Sequence, residues 1–444
     1  MRFFWMAILL SFIFSSQALG TEGSQTLRAY RLSGVEIEEI FYESLPYKGV
    51  PVHIFGYFCH PIKFKGKLPA VLLVHGGGGS ASLNRSIILA RKGYAVLAID
   101  LPGKGEKRAG SRSTGPDMDV ANLLNAKAPF ENNYLVNAVA ATRNAITYLA
   151  QRKEVDPSRI GMVGLSWGGV ITLLTNGQDD RLKAAVNVFG AGYIPEGCTW
   201  QDWFTKMSSE EITNWDNSLD PKNFLKSQHA PILFITGTND HCYYLPTFQK
   251  SYNQVPVEKE LCLIPNLRHQ FFEAEQAIVW RWIDIYLKEG GSFPAITQLP
   301  GTEKDGKIKL TINASVSGEA RITRATLYYS LNGPSYWTKK RWHPIPGQFK
   351  KGVFSFLIPS TLVKPEILYF ISVFDTKGGI SSTPVRSLFK IKAADNSVVY
   401  AQTAPLEKTY QHPLPLELLT NTSISLEASK LLFDKKNNCY QLQK

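Results

Sequence analysis

The sequence predicts an α/β protein with a mostly parallel sheet, followed by an all-β, sandwich-like module. Three observations lead there. Continuous apolar runs at Pro69–His75, Tyr94–Asp100 and Pro231–Gly237 suit strands buried on both faces, as parallel strands are. Between residues 69 and 290 such runs alternate with segments of helical apolar spacing. From residue 305 to 393 the pattern becomes short β-rich runs separated by turn residues, with no helical period between them.

The elements follow in chain order. Residues 35–62 read as two strands around a turn at Tyr47–Gly49, because Val35-Glu36-Ile37-Glu38 alternates apolar and acidic residues. Four glycines follow the first buried strand, and a helix runs from about Ser82 until Gly93 stops it. Residues 101–130 are rich in Gly, Pro, Ser and charge and read as a long surface loop. A helix is expected over Tyr134–Arg152, a short strand over Arg159–Gly164, and a second helix just after Ser166. Leu182–Val188 reads as a strand, Thr247–Gln254 as a short helix, Leu261–Pro265 as the last strand and Phe272–Leu287 as an amphipathic helix. Residues 192–228 lack a period and hold Trp200, Trp203 and Trp215, which suits a small cap over a site, either as its core or as pocket lining. The β-rich runs are Ile308–Ala314, Arg321–Tyr329, Val353–Pro359, Ile367–Phe374 and Val385–Ile391.

Composition sets outer limits. The chain has 444 residues, enough for two or three domains, and 44% hydrophobic against 19% charged residues excludes a wholly disordered chain. Arg2 precedes an apolar run, Phe3–Phe14, and small residues follow it, the layout of a secretory signal peptide cleaved after Ala18 or Gly20. The run is too short for a bilayer span, so no membrane anchor is expected. An oxidising compartment permits a disulfide among Cys59, Cys198, Cys242, Cys262 and Cys439, and spacing selects no pair. The formal net charge is +12, and residues 301–400 carry an excess of nine cations. An exported protein seldom meets nucleic acid. The excess reads as a solvated basic face, or as affinity for an anionic polysaccharide.

The chemistry centres on Gly164-Leu165-Ser166-Trp167-Gly168, with Gly169 behind it. It lies directly after a strand and before a helix, the context of a nucleophile elbow. The turn is too tight for flanking side chains and lifts the Ser166 hydroxyl clear of the sheet. A serine hydroxyl needs a base, and the base needs an orienting acid. In such elbows the chain order is Ser, then Asp or Glu, then His. Asp240 stands just beyond the strand 231–237, in Gly237-Thr238-Asn239-Asp240, and His269 lies on the loop after the last strand. His241 adjoins the acid, and His229 lies at the wrong edge. Asp216 and Asp220 are the fallback acids. The oxyanion needs donors: the Trp167 N–H is one, and Gly76 or Gly77, in His75-Gly76-Gly77-Gly78-Gly79, supplies the other. No phosphate-loop spacing and no metal-ligand spacing is present, so no cofactor and no metal are expected.

The run Glu154–Gly169 (EVDPSRIGMVGLSWGG), with HGGGG before it and GTND after it, resembles the α/β-hydrolase superfamily. Within it, the chain is similar to the dienelactone hydrolase, acetyl xylan esterase and prolyl oligopeptidase branch, and above all to exported bacterial acetyl xylan esterase-like proteins. The resemblance covers about residues 37–290. It implies an α/β-hydrolase fold with Ser166 as nucleophile, Asp240 as acid and His269 as base. Leu245-Pro246 fits the peptidase side of the branch, and Arg268 stands where the family often has glycine before the histidine.

These readings divide the chain into a signal peptide (1–20), a catalytic domain (21–292), a β-module (303–394) and a polar tail (395–444). The expected function is a secreted or periplasmic serine esterase acting on small esters or acetylated carbohydrate. A peptidase of the prolyl oligopeptidase type is one alternative, although about 50 mature residues before the first buried strand leave no room for a propeller. A retired, glycan-binding protein is another, with Tyr328, Tyr329, Tyr336, Trp337 and Trp342 either stacking on sugar rings or filling the sandwich core.

Overall fold

The computed structural model describes residues 23–104, 111–271, 273–304, 306–331, 337–364, 366–392, 398–402, 431–434 and 439–442. The expected signal peptide, Tyr336 and most of the tail lie outside the described residues.

A nine-stranded sheet forms the first part of the chain. Its strands are β1 (Gln25–Leu32), β2 (Val35–Tyr47), β3 (Val50–Pro61), β4 (Leu68–Val74), β5 (Ala95–Ile99), β6 (Val155–Leu165), β7 (Leu182–Val188), β8 (Ile232–Gly237) and β9 (Lys259–Ile264). The spatial order is β1-β2-β3-β5-β4-β6-β7-β8-β9. Strands β4 to β9 run parallel and β1 to β3 antiparallel. Every residue of β4, β5 and β8 is buried, because helices cover both faces. The helices are α1 (Leu83–Arg91), α2 (Val120–Leu123), α3 (Tyr134–Gln151), α4 (Trp167–Asn176), α5 (Gln201–Phe204), α6 (Ser209–Asn214), α7 (Leu245–Gln254) and α8 (Glu273–Asp284). Among the described residues no helix is long and apolar enough to cross a membrane.

Three local expectations change. Strand β1 has no counterpart in the sequence reading, because it is an exposed edge whose residues carry no inward and outward alternation. Residues 101–130 are not simply a surface loop: Leu101, Ser111, Ser113, Met118 and Leu123 are buried. The segment folds back on β3, where Thr114 exchanges hydrogen bonds with His53 and the Ser113 hydroxyl accepts from the Phe55 N–H. Side-chain hydroxyls do this work, so no apolar period marks it. The first strand of the β-module starts earlier than the sequence pattern showed, at Ala295.

That module comprises β10 (Ala295–Lys304), β11 (Lys307–Ser315), β12 (Ile322–Ser330), β13 (His343–Pro346), β14 (Gln348–Lys350), β15 (Val353–Pro359), β16 (Glu366–Asp375), β17 (Ile380–Ser382) and β18 (Arg386–Lys392). One sheet runs β10-β11-β15-β14, and the other is built on β13-β12-β16-β18. Short strands at Val398–Gln402, Leu431–Asp434 and Cys439–Leu442 extend the second sheet. Alternate residues Ile308, Leu310 and Ile312 of β11 pack with Phe356 and Ile358 of β15 and with Tyr369 and Ile371 of β16 between the sheets. The opposite face of β16 is buried too. Leu368 and Phe370 join Trp337, Trp342 and Val385 in the core of the α/β part. Trp337 and Trp342 are therefore core residues and offer no platform for sugar stacking.

Candidate active site

Ser166 sits between β6 and α4 with φ 59° and ψ −119°. A left-handed φ at a non-glycine residue is strained and persists only where its surroundings enforce it. Here the Ser166 N–H donates to the Val188 carbonyl at 2.8 Å, and the Val170 N–H donates back to the Ser166 carbonyl at 3.0 Å. The turn closes on bare backbone: a Cβ on Gly164 would lie 1.9 Å from the Gly168 carbonyl oxygen, and one on Gly168 would lie 2.4 Å from that of Val74.

The loops after β8 and β9 meet above this turn. His269 Nε2 lies 2.8 Å from Ser166 Oγ, and His269 Nδ1 lies 2.9 and 3.0 Å from the two oxygens of Asp240. An Nδ1–H donated to the carboxylate leaves Nε2 to accept the serine proton. Asp240 is buried and accepts the Cys242 N–H at 2.7 Å and the Tyr243 N–H at 3.1 Å, which hold it in place. Burial of the imidazole works against its charged form. The hydrogen bond and charge of Asp240, with Cys242 beside it, outweigh burial and raise His269 to about 9.

The fallback acids are elsewhere. Asp220 is fully buried and binds the N–H groups of Tyr193, Ile194 and Lys222 and the Trp215 indole. Asp216 pairs with Lys222. Both are cap residues. His241 stacks edge-on to His269 with ring centroids 5.9 Å apart.

Gly76 and Gly77 lie against the elbow. A Cβ on Gly76 would come within 2.8 Å of the Ser166 Cβ, and one on Gly77 within 3.3 Å of the Trp167 ring. Trp167 opens α4, where first-turn N–H groups have no partner within the helix. His75 secures the glycine loop: its Nε2 accepts the Leu101 N–H at 2.9 Å, so Nδ1 donates to the Gly76 carbonyl at 2.7 Å.

The sequence reading missed several supports. Asp100 is buried and accepts the Ala81 and Arg112 N–H groups, pinning the far end of the glycine loop. It ends a run read only as a strand. Of the three cap tryptophans, Trp215 is fully buried and Trp203 is exposed, whereas Trp200 packs on Trp167 and Tyr243 at 5.0 and 5.5 Å beside the site. Cys59, Cys198, Cys242 and Cys262 are free thiols. Among the described residues, Asp240, Cys242 and His269 alone bring three metal-ligating atoms within 4.8 Å, and a cation there would replace the hydrogen bond between acid and base.

A mostly parallel sheet covered by helices, with a strained serine at a strand-to-helix turn and His and Asp on later loops, defines an α/β-hydrolase. The chain belongs to the dienelactone hydrolase family, whose model matches residues 54–287, more than half its length. Over 230 residues it is 26% identical to the acetyl esterase Axe7A of Xylanibacter ruminicola, spanning 49% of this chain and 52% of that protein. Over 236 residues it is 26% identical to the uncharacterized peptidase YuxL of Bacillus subtilis, spanning 49% of this chain and 34% of that protein. The chain spans about half the length, or less, of these curated relatives. An acetyl xylan esterase from Paenibacillus sp. R4 shares the fold, with a TM-score of 0.53 at 23% identity over 64% of this chain and 94% of that one.

Proposed function

We propose that this hydrolase is a serine esterase that cleaves short carboxylic esters, with acetyl groups on carbohydrate as the natural class, and that it acts after export. The observation that carries the reading is the 2.8 Å contact between His269 Nε2 and Ser166 Oγ, with Nδ1 committed to Asp240. The name of the Xylanibacter relative supports the acetyl ester, and the leader-like residues 1–20 support export.

In this reading Ser166 Oγ attacks the ester carbonyl as its proton passes to His269 Nε2. Asp240 keeps the imidazole in the accepting tautomer and offsets the charge it gains. The N–H groups of Trp167 and of Gly76 or Gly77 bind the oxyanion. The tetrahedral adduct collapses to an acyl-serine, and the alcohol leaves with the proton from His269. Water, deprotonated by the same imidazole, then releases the acid and restores the serine. No step calls for a metal or an organic cofactor.

The test is hydrolysis of p-nitrophenyl esters from acetate to octanoate by the wild type and by Ser166→Ala, followed by acetate release from acetylated polysaccharides. Fast acetate turnover abolished by the substitution is the expected result. Cleavage of short peptides with no ester turnover at any chain length would overturn it.

A further inference from the structure

The β-module touches the α/β part at a particular place. Its segment between Trp337 and Trp342 lies across the two loops that carry Asp240 and His269. Asn239, directly before the acid, donates from Nδ2 to the Lys340 carbonyl at 2.6 Å and to the Thr338 carbonyl at 3.4 Å. Asn266, three residues before the base, donates from Nδ2 to the Trp342 carbonyl at 3.0 Å and accepts the Trp342 N–H on Oδ1 at 2.8 Å. That paired exchange fixes an amide side chain as a neighbouring strand would. Asn266 has φ 62°, which asparagine tolerates better than most residues.

The two loops are also joined to each other. The Asn266 N–H donates to Thr238 Oγ1 at 2.8 Å, the Asn239 N–H to the Leu267 carbonyl at 2.9 Å and the Thr238 N–H to the Ile264 carbonyl at 3.0 Å. The module grips the flanking elements as well. Leu263 of the edge strand β9 donates its N–H to Ser382 Oγ at 3.0 Å. Gln249 of α7 exchanges two hydrogen bonds with Val385. Strand β9 would otherwise be an open edge, and it is the strand that delivers the histidine.

We propose that the 338–342 segment is a brace that sets the spacing of Asp240, His269 and Ser166, with Asn239 and Asn266 as positioning residues. The inference rests on the esterase reading above. Its reason is geometric: His269 lies outside regular structure, on the loop between β9 and α8, and the module's segment bonds to that loop through Asn266 and to the Asp240 loop through Asn239. A displacement of about 1 Å in such a base is enough to cost on the order of 100-fold in rate. The brace gives the β-module a part in the chemistry through the two loops it holds.

The test uses the full chain with Asn239→Ala, Asn266→Gly and the double variant. Glycine at 266 tolerates the left-handed backbone and removes the side-chain bonds. Gln249→Ala serves as a control that loosens the module away from the loops. The readouts are kcat and KM for p-nitrophenyl acetate, the rate of Ser166 labelling by a fluorophosphonate, and the downfield proton signal of the His269–Asp240 hydrogen bond. In the double variant kcat and labelling are expected to fall about tenfold or more at unchanged KM, with the downfield signal broadened or lost. Gln249→Ala is expected to lower Tm with kcat retained. A double variant that loses Tm but keeps wild-type kcat, labelling and proton signal would overturn the brace. Failure of the esterase reading shows separately, as no ester turnover by the wild type at any chain length; Ser166 labelling and the proton signal then still decide on the brace.

Discussion

Gly76 and Ser166 meet with no room for a methyl group between them: a Cβ at position 76 would lie 2.8 Å from the Ser166 Cβ and 2.7 Å from the Leu165 carbonyl oxygen. Backbone cannot retreat there, because the elbow is itself held by the Val188 carbonyl. Gly76→Ala is therefore expected to push the glycine loop away from the developing oxyanion and to lower kcat for p-nitrophenyl acetate by about 100-fold or more. Gly77→Ala, whose Cβ would meet only the Trp167 ring at 3.3 Å, should lose much less. Equal losses in the two variants would contradict the contact argument.

The pH profile follows from His269. The base must be neutral to accept the Ser166 proton, and its pKa is raised to about 9 by Asp240 against the effect of burial. The value of kcat/KM should therefore rise with pH until it levels off near 9. Asp240→Asn removes the raising carboxylate, so the acid limb should move down in pH, and kcat should fall by on the order of 10⁴-fold from the lost tautomer control. An acid limb that stays in place in the variant would show that another group sets it.

Glu260, on β9 where the module docks, gives a stability test. Burial raises its carboxyl from 4.5 to about 8. A raised carboxyl means that the folded state binds more protons than the unfolded state between those values, so stability falls as pH rises from about 4.5 to about 8. Glu260→Gln should raise Tm at pH 8 and leave it nearly unchanged at pH 4.5. Thermal melts across that range decide it, and a variant less stable than wild type at pH 8 would count against a desolvated, unfavourable carboxylate.

Asp220 organises the cap from inside. Its carboxylate receives three backbone N–H groups and the Trp215 indole N–H. Asp220→Ala leaves those donors unpaired and should cost about 3 kcal/mol, since a single hydrogen bond to a charged group is already worth about 1.5–3 kcal/mol. Urea unfolding followed by tryptophan fluorescence measures it. A midpoint within error of wild type would mean that water reaches these donors.

Much of the fold and of the site is legible along the chain. Strands β4, β5 and β8 are apolar from end to end because both faces are covered, and that burial is written directly into residue type. The elbow is equally local: Gly164, Gly168 and Gly169 are required by contacts within one strand-turn-helix unit. The sequence singles out Ser166 by its G-x-S-x-G turn and Asp240 and His269 by their place just past strand ends, and the structure brings the three within hydrogen-bond distance. Strand β1 and the packed part of 101–130 left no apolar period, since an exposed edge and hydroxyl-mediated pairing need none.

The sequence by itself determined the α/β architecture and the position of the candidate site residues at the strand ends, because periodicity and tight turns depend on near neighbours. Only the tertiary structure decided what supports them. Asn239 and Lys340 are 101 residues apart, and they meet because the module closes over β9. Trp337 and Trp342 likewise became core residues through a face that their own sheet does not bury. A backbone carbonyl accepting from a distant asparagine leaves no trace in residue type, so the joining of the module to the acid and base loops had to be read from the fold.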